Sequence, residues 1–412
     1  MSGVIPKVTC GQGRMVASIS VGQVISWGSI YYAFTLLASP LERDLGWQAG
    51  TTFGIFCWGL FVAGIVALPV GVLLDRFGGQ PVLGGGSVLS GIGLIMLGDV
   101  HSIAWFFVAW SLLGIAMALV LYEAAFATIC REFPTDARRL ISIVTLVGGL
   151  ASTIFWPLTW KLETLIGWRD TYRYYGIVHL LLCAPLHFMM PVRRPFVASP
   201  ARERTIGGKE GFFLWQALLS SEFWKLAFSF SVSAFVFSSF SIHLVTVLQL
   251  LGHSVDKIVL LATIIGPMQI LGRLAEMTVG HRLSPEAIGQ LIFAALPVAL
   301  VILSFFGASE VALVVFFVLY GLSNGVATIV RGTIPQAVFG SRNYGAIAGA
   351  LAVPAFMSKA IAPLLISVCT EANPRPEILL GVMSLLTGFS AVLFFSATAN
   401  FRHQCLKSDD PI

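Results

Sequence analysis

Four acidic or strongly basic side chains interrupt the long apolar stretches of this 412-residue chain: Glu123, Arg273, Glu276 and Lys359. A charge in the middle of a lipid bilayer costs at least about 2.5–3.5 kcal/mol, so a residue of this kind is a functional candidate by default. Arginine can bind a carboxylate through two parallel hydrogen bonds, and lysine adds a compact positive charge. Arg273 and Lys359 therefore predict a site for a small organic anion. Glu123 and Glu276 are candidates for carrying a coupled proton.

Each of these residues also has a structural interpretation. Arg273 and Glu276 are three residues apart, so they could form an ion pair on one helix face and leave Lys359 to a carbonyl or to the membrane surface. Glu123 could contact Arg131 or Arg138. Three tyrosines are placed where they could line the same site, although packing in a core explains them equally well; they are Tyr31, Tyr122 and Tyr320.

Long apolar segments must position these side chains. Hydrophobic residues make up 57% of the chain and charged residues 11%, which exceeds the apolar content of a water-soluble domain. A membrane-spanning helix needs about 20 mainly apolar residues, and twelve runs are that long. They are 15–37, 50–74, 82–98, 103–130, 140–160, 174–190, 226–251, 258–280, 288–308, 311–330, 344–368 and 378–395. The runs lack the alternation of barrel strands.

The sequence therefore predicts an all-α membrane protein of twelve transmembrane helices in two six-helix halves. We assign 1–190 to an N-terminal bundle, 191–221 to a polar linker rich in Pro, Arg and Gly, and 222–412 to a C-terminal bundle. Most of the 25 Lys and Arg residues fall in loops on the side of the linker, which predicts an inner-membrane protein with both termini in the cytoplasm.

Other classes of function lack their signatures. The net charge of +5 follows from this topology, so it gives no reason to expect a nucleic-acid partner. The sequence contains no GxxxxGK[ST] loop, no HExxH and no CxxC, and no nucleophile recurs with a base and an orienting group. We expect no enzyme activity, no metal site and no cofactor, and we expect the lipid bilayer and a small solute to be the partners of a monomer.

The loop after the second apolar run carries a recognisable motif. It reads Gly71-Val-Leu-Leu-Asp75-Arg76-Phe-Gly78-Gly79, where glycines permit a tight turn and close helix approach and the two charges can make contacts at the membrane surface. This resembles the G-x-L-x-D-R-x-G signature of the major facilitator superfamily. The resemblance implies a conformational latch formed by Gly71, Asp75, Arg76 and Gly78. The basic residues that usually follow are replaced by Gln80 and Pro81.

A second resemblance, to oxalate:formate antiporters and monocarboxylate transporters, covers most of the chain. It rests on Tyr31-Tyr-Ala-Phe34, on Pro40-Leu-Glu42 with Leu45-Gly-Trp47, on Gly167-Trp-Arg169 and on Gly272-Arg273. Those relatives place an Arg in span 8 and, in the oxalate branch, a Lys in span 11 together with aromatic residues around the substrate. The resemblance implies secondary active transport of a mono- or dicarboxylate by alternating access, coupled to protons or to a counter-anion.

Two other interpretations stay open at this point. Arsenite-efflux members of the superfamily also resemble this branch, and a neutral toxic solute would not need both Arg273 and Lys359. A membrane sensor or membrane enzyme is the third alternative, although the chain has no signalling domain and its linker, 191–221, is short for one. Transport of labelled solutes separates all three.

Overall fold

The structure is a computed structural model that describes residues 10–191, 211–372 and 375–406. Within these ranges the chain forms helices joined by short turns, and no described residue lies in a strand. Eleven helices are long and apolar enough to cross a membrane. One of them, Ala137–Phe188, is a 52-residue run that reverses within its length, so the described chain has twelve crossings, as predicted.

Gly167 makes the reversal between spans 5 and 6. It has φ of 78° and ψ of 168° inside the helix Ala151–Val178, a conformation that glycine adopts without the steric cost of a side chain. Two arginines fix the turn against the neighbouring loop. Arg169 donates to the carbonyl of Val100 at 2.6 Å, and Arg173 forms an ion pair with Asp99 at 2.5 Å.

The N-terminal half contains spans 1 to 6. Span 1 is helical throughout but widens into a π-helix, Trp27–Tyr32, and span 4 is interrupted at Leu121, which has extended backbone angles. The helices of this half are Cys10–Ser26, Ala33–Leu45, Ala49–Phe77, Gly79–Gly98, Ile103–Val120, Tyr122–Glu132, Ala137–Gly148, Ala151–Val178 and Ala184–Phe188, with a second π-helix at His179–Cys183.

The C-terminal half contains spans 7 to 12. A short helix precedes it, and span 8 is divided by a bend at residues 263–264. Its helices are Leu214–Leu219, Ser221–Leu250, Val255–Ala262, Ile265–Thr278, Pro285–Phe306, Glu310–Phe339, Tyr344–Ala372 and Pro376–Leu406. Span 10 is the helix Glu310–Phe339, which continues for nine residues beyond the predicted end at Val330.

We call the membrane face at which Met190 and Gly211 lie the linker face. Of the predicted linker, residues 192–210 lie outside the described residues, as do the predicted cytoplasmic ends 1–9 and 407–412. The described end of the linker is attached to the end of span 10, because Phe212 N donates to Phe339 O at 2.9 Å. The assignment of 191–221 as a linker stays a prediction.

Spans 2 and 11 form the most extensive contact between the halves. Glycines allow the two backbones to touch. A Cβ atom on Gly71 would stand 2.0 Å from the carbonyl oxygen of Gly345, and one on Gly349 would stand 2.4 Å from that of Ala67. Real Cβ atoms do not approach so closely, so this interface requires glycine.

Candidate binding site between the two halves

Arg273 lies on span 8 and points into the interface between the halves. Its side chain is 6% exposed, and its Nε donates to the carbonyl of Gly325 on span 10 at 3.3 Å. Its Nη1 is buried and has no hydrogen-bond partner among the described residues. A Cβ atom on Gly149 of span 5 would stand 1.7 Å from Nη1, so the guanidinium rests on the backbone of the opposite half.

Lys359 reaches across the interface in the same direction, from span 11 to span 1. Its ammonium lies 4.6 Å from the centre of the Tyr31 ring and 5.1 Å from that of Trp27. The aromatic faces stabilise the cation by cation–π attraction. Both rings belong to the π-helix Trp27–Tyr32, and no carboxylate of the described chain forms an ion pair with Lys359.

Two of the three predicted tyrosines join this cluster. Tyr31 packs edge-to-face on Trp27 with ring centres 5.4 Å apart, and the ring of Tyr122 lies 5.2 Å from Trp27. Tyr122 and Tyr32 are also close enough to Arg273 for an electrostatic interaction. The cluster therefore lies between the two cations.

Tyr320 makes its ring contacts within the C-terminal half. It is 4% exposed and packs among Phe237, Phe240 and Phe316 inside the C-terminal half. Its hydroxyl donates to the carbonyl of Phe237 at 3.3 Å. Tyr320 is also close enough to Tyr31 for an electrostatic interaction, so it borders the aromatic cluster. Its role in the site stays a prediction.

Glu276 is paired across the halves. Arg138 of span 5 donates from Nε to its Oε1 at 2.8 Å, and the hydroxyl of Ser142 donates to its Oε2 at 2.5 Å. The remaining Arg138 nitrogens donate to the carbonyls of Gly280 and Leu283 at the end of span 8. The ion pair between Arg273 and Glu276 that the sequence left open is therefore not formed in this structure.

Glu123 has no such partner. It is half-buried in the first turn of the helix Tyr122–Glu132, and within the described ranges its carboxylate takes part in no ion pair and no hydrogen bond. It lies close enough to Lys359 for an electrostatic interaction. Arg131, one of its expected partners, instead donates to the carbonyls of Leu74 and Asp75 at the end of span 2.

The motif after span 2 joins the halves at the linker face through one of its two charges. The Asp75 carboxylate accepts from the backbone N–H groups of Gly345 at 2.9 Å and Ala346 at 2.8 Å. These are orphan donors of the first turn of span 11, where a helix also favours negative charge. Gly78 ends span 2 with a positive φ of 83°. Arg76 instead lies exposed, 5.1 Å from the Phe77 ring.

Sequence reasoning missed three residues of this region. The sequence gives Trp27 only as part of an apolar run and Arg138 only as a possible partner of Glu123, and the predicted span 10 ends one residue before Arg331. Arg331 is half-buried within span 10 and interacts electrostatically with Lys359 and Tyr122. The sequence contains a signal for this position, because apolar residues resume after Arg331 and the helix continues to Phe339.

Comparison with known proteins assigns this architecture to a family. A family model described as the Major Facilitator Superfamily matches residues 19–363, well over half of the chain. The chain belongs to that superfamily. No curated protein matches it. The narrower resemblance to oxalate:formate and monocarboxylate transporters stays a prediction.

Solved structures with the same fold cover nearly all of the chain. A variant of the E. coli fucose:proton symporter is 12% identical, covers 93% of this chain and 98% of its own, and gives a TM-score of 0.69. The human organic anion transporter TETRAN is 15% identical over 93% and 99%, also at 0.69. A proton:xylose symporter bound to a glucose derivative is 12% identical over 93% and 95%, at 0.70. The protein is therefore a multi-pass membrane transporter of this superfamily.

Proposed function

We propose that this transporter moves a small organic anion, a mono- or dicarboxylate, across the inner membrane by alternating access. Arg273 and Lys359 bind the carboxylate, and the aromatic cluster of Trp27, Tyr31 and Tyr122 encloses it. A proton or an exchanged anion returns the carrier. Both termini face the cytoplasm, so the linker face is the cytoplasmic face, and one chain is the working unit.

The buried, unpartnered Nη1 of Arg273 is the observation that carries this proposal. Leaving a buried charged donor without a partner costs several kcal/mol in proteins, so such a group is retained where a ligand satisfies it. A carboxylate that accepts from the guanidinium would supply the missing acceptor. Lys359, held by aromatic rings rather than by an anion, can add a second charge to the same ligand.

Glu276 supports this interpretation by contrast. It lies only three residues from Arg273 on the same helix, yet its carboxylate is occupied by Arg138 and Ser142. The carboxylate nearest to Arg273 along its own helix is therefore bound to other residues and does not neutralise Arg273. Two interior cations without an ion-paired carboxylate are suited to an anion that arrives from solution.

In the proposed cycle the contacts at the linker face act as the latch. Gly71 permits the close approach of spans 2 and 11, Gly78 ends span 2 with its positive φ, and Asp75 holds the start of span 11. The ion pair of Arg138 with Glu276 fastens span 8 to span 5 at the same face. Opening this face requires these bonds to break, which fits rocking of the two halves around a site at mid-membrane.

Glu123 is our preferred carrier of the coupled proton. It is half-buried, lacks an ion pair in the described chain and lies near Lys359, so its charge can respond when the substrate enters or leaves. Glu276 is the second candidate, and it would have to release Arg138 before it could take up a proton. This release would link protonation to opening of the linker face.

Transport by purified protein in proteoliposomes tests the proposal. We would measure uptake and counterflow of labelled small carboxylates, with and without a pH gradient, for wild type, Arg273→Gln and Lys359→Gln. Arg43→Gln and Lys161→Gln are matched controls, because both residues are exposed cations on helix ends toward the opposite face. We expect both site variants to abolish carboxylate flux and both controls to retain it.

Arsenite, fucose and xylose belong in the same assay. The sugar symporters among the similar structures carry neutral solutes. Sequence identities of 12–15% show that the folds are alike but do not indicate which substrate this chain carries. A neutral solute needs neither cation. Robust arsenite or sugar flux that is unchanged by Arg273→Gln and Lys359→Gln, with no carboxylate flux, would reject the anion proposal.

A further inference from the structure

A groove on the outer surface of the N-terminal half plays no part in the proposed transport site. Its volume is about 570 Å³, and none of its lining residues belongs to the cluster around Arg273 and Lys359. Apolar side chains and glycines from spans 2, 3, 4 and 6 line it, among them Phe77, Gly85, Gly86, Leu119 and Phe188. It therefore opens toward lipid near the linker face.

Two adjacent glycines of span 3 create the groove. A Cβ atom on Gly86 would stand 2.5 Å from the Cβ of Leu119, so Gly86 lets span 4 form the floor. A Cβ atom on Gly85 would meet no atom within 4 Å, so Gly85 leaves the space itself open. Phe77, 55% exposed, forms part of the rim. An apolar groove of this kind, facing hydrocarbon, is filled by an acyl chain, because an empty space would forfeit dispersion contacts.

Arg76 stands beside this groove. Its guanidinium carbon lies 5.1 Å from the centre of the Phe77 ring, which lines the groove, and the helix of span 2 ends at Phe77. The neighbouring Asp75 is occupied by the start of span 11. Arg76 takes part in none of the ion pairs between described residues and lies exposed. An arginine at the membrane surface is well suited to a phosphate group.

We propose that the groove and Arg76 together bind one phospholipid with an anionic headgroup. One acyl chain lies over Gly85 against Leu119 and Phe77, and the headgroup phosphate accepts hydrogen bonds from Arg76. An anionic headgroup complements the positive charge of Arg76 better than a zwitterionic headgroup does. Membrane surfaces rich in anionic lipid attract juxtamembrane Lys and Arg residues for the same reason. In this proposal Arg76 contacts a lipid headgroup, whereas its neighbour Asp75 contacts the other half of the protein.

Native mass spectrometry of the full-length protein tests this site. We would release the protein from nanodiscs of defined phosphatidylglycerol and phosphatidylcholine content and measure the retained lipid. Arg76→Gln removes the charge, and Gly85→Leu fills the groove. Gly388→Leu on span 12 and Arg43→Gln are matched controls, because a Cβ on Gly388 also meets open space and Arg43 is an exposed cation on the opposite face.

We expect wild type and both controls to retain one phosphatidylglycerol. Arg76→Gln should lower the preference for phosphatidylglycerol over phosphatidylcholine by about tenfold, since it removes a charge-assisted contact. Gly85→Leu should lower retention of both lipids by about tenfold or more, because it takes the volume of several methylene groups. The two substitutions act on different parts of the site, so either one alone is decisive if the other does not fold.

Equal retention of phosphatidylglycerol and phosphatidylcholine by wild type would overturn the assignment. So would retention that Gly85→Leu and Gly388→Leu reduce alike, because this would indicate general annular lipid. The readout is independent of transport activity. A protein that moves no carboxylate can still retain the lipid, and the reverse also holds, so failure of one proposal is distinct from failure of the other.

Discussion

The interface between the two halves has two levels that are built differently. Toward the linker face, charged groups have partners in the opposite half: Asp75 accepts from the start of span 11, and Arg138 binds Glu276 and the end of span 8. At mid-membrane, Arg273 and Lys359 also reach the opposite half, but they contact a glycine backbone and aromatic rings. Both levels contain a cation that reaches across the interface, but among the described residues only the cation toward the linker face, Arg138, forms an ion pair.

This difference separates two uses of charge. Paired groups at the linker face hold one arrangement of the halves, and their removal should change which arrangement is populated. Unpaired groups at mid-membrane leave hydrogen-bonding capacity for a ligand, and their removal should change binding while the arrangement of the halves persists. The two levels can be tested by separate measurements. Alkylation of Cys130 reports on the linker face, and the KM for transport reports on the mid-membrane site. The Cys130 thiol is buried at the linker face, 3.5 Å from Gln336 of the opposite half.

The largest effect should come from Gly71→Ala. The added Cβ would stand 2.0 Å from the backbone carbonyl of Gly345, and a backbone atom cannot rotate away as a side chain can. Overpacking of this kind costs about 1–3 kcal/mol, so the linker-closed arrangement should lose up to roughly a hundredfold in population. We expect faster alkylation of Cys130 in a variant without other cysteines, together with loss of transport.

Gly54→Ala is the control for Gly71→Ala, because Gly54 lies on the same helix and a Cβ there meets no atom within 4 Å. It should leave alkylation of Cys130 unchanged. If Gly71→Ala behaves like Gly54→Ala in both assays, then close approach of spans 2 and 11 does not hold the linker face shut.

Arg138→Gln should have the next largest effect. It leaves the Glu276 carboxylate buried without its ion partner, and the Glu276 side chain is 3% exposed. Breaking such a pair costs about 3–5 kcal/mol when both groups are buried, and roughly 2 kcal/mol is reasonable here because a quarter of Arg138 remains exposed. Alkylation of Cys130 should accelerate by roughly thirtyfold.

The double variant Arg138→Gln/Glu276→Gln sharpens this test, since it removes both charges. We expect it to restore most of the slow alkylation of Cys130, because no unpaired charge is left in the interface. A double variant that reacts as fast as Arg138→Gln would show that Arg138 acts through the carbonyls of Gly280 and Leu283 rather than through Glu276.

The sequence predicts the twelve spans well because the length of an apolar run reports directly on burial in lipid. It also singles out Arg273, Lys359 and Asp75, whose types are unusual where they occur. It does not predict which charges meet, because Arg138 and Glu276 are 138 residues apart and their contact depends on how the halves pack. The predicted end of span 10 at Val330 is wrong for a local reason, since the charge of Arg331 ends the apolar run while the helix continues to Phe339.

A smaller effect is expected at the mid-membrane level from Gly149→Ala. The new Cβ would stand 1.7 Å from Nη1 of Arg273, so the guanidinium must move while the backbone of span 5 stays in place. We expect the KM for a transported carboxylate to rise about tenfold, as for loss of one charge-assisted hydrogen bond. Alkylation of Cys130 should not change. Gly266→Ala, in an open position on span 8, should alter neither quantity.

The smallest effect concerns the support behind the aromatic cluster. Ser29 lies in the same π-helix as Trp27 and Tyr31, and its hydroxyl donates to the carbonyl of Ile25 at 2.7 Å. The hydroxyl oxygen therefore accepts from Nε2–H of the buried His179, 2.9 Å away. This bond ties the π-helix of span 1 to that of span 6 and fixes the turn that presents both rings to Lys359.

Glutamine and asparagine at position 179 distinguish this bond from simple packing. His179→Gln can place an amide N–H near the position of Nε2, whereas the shorter amide of His179→Asn reaches only the position of Nδ1. Loss of one such hydrogen bond costs about 0.5–1.5 kcal/mol, so His179→Asn should raise the KM roughly threefold to tenfold while His179→Gln stays close to wild type. Equal KM values for the two variants would mean that His179 fills space without orienting the rings, and the aromatic contacts of Lys359 would then depend on span 1 alone.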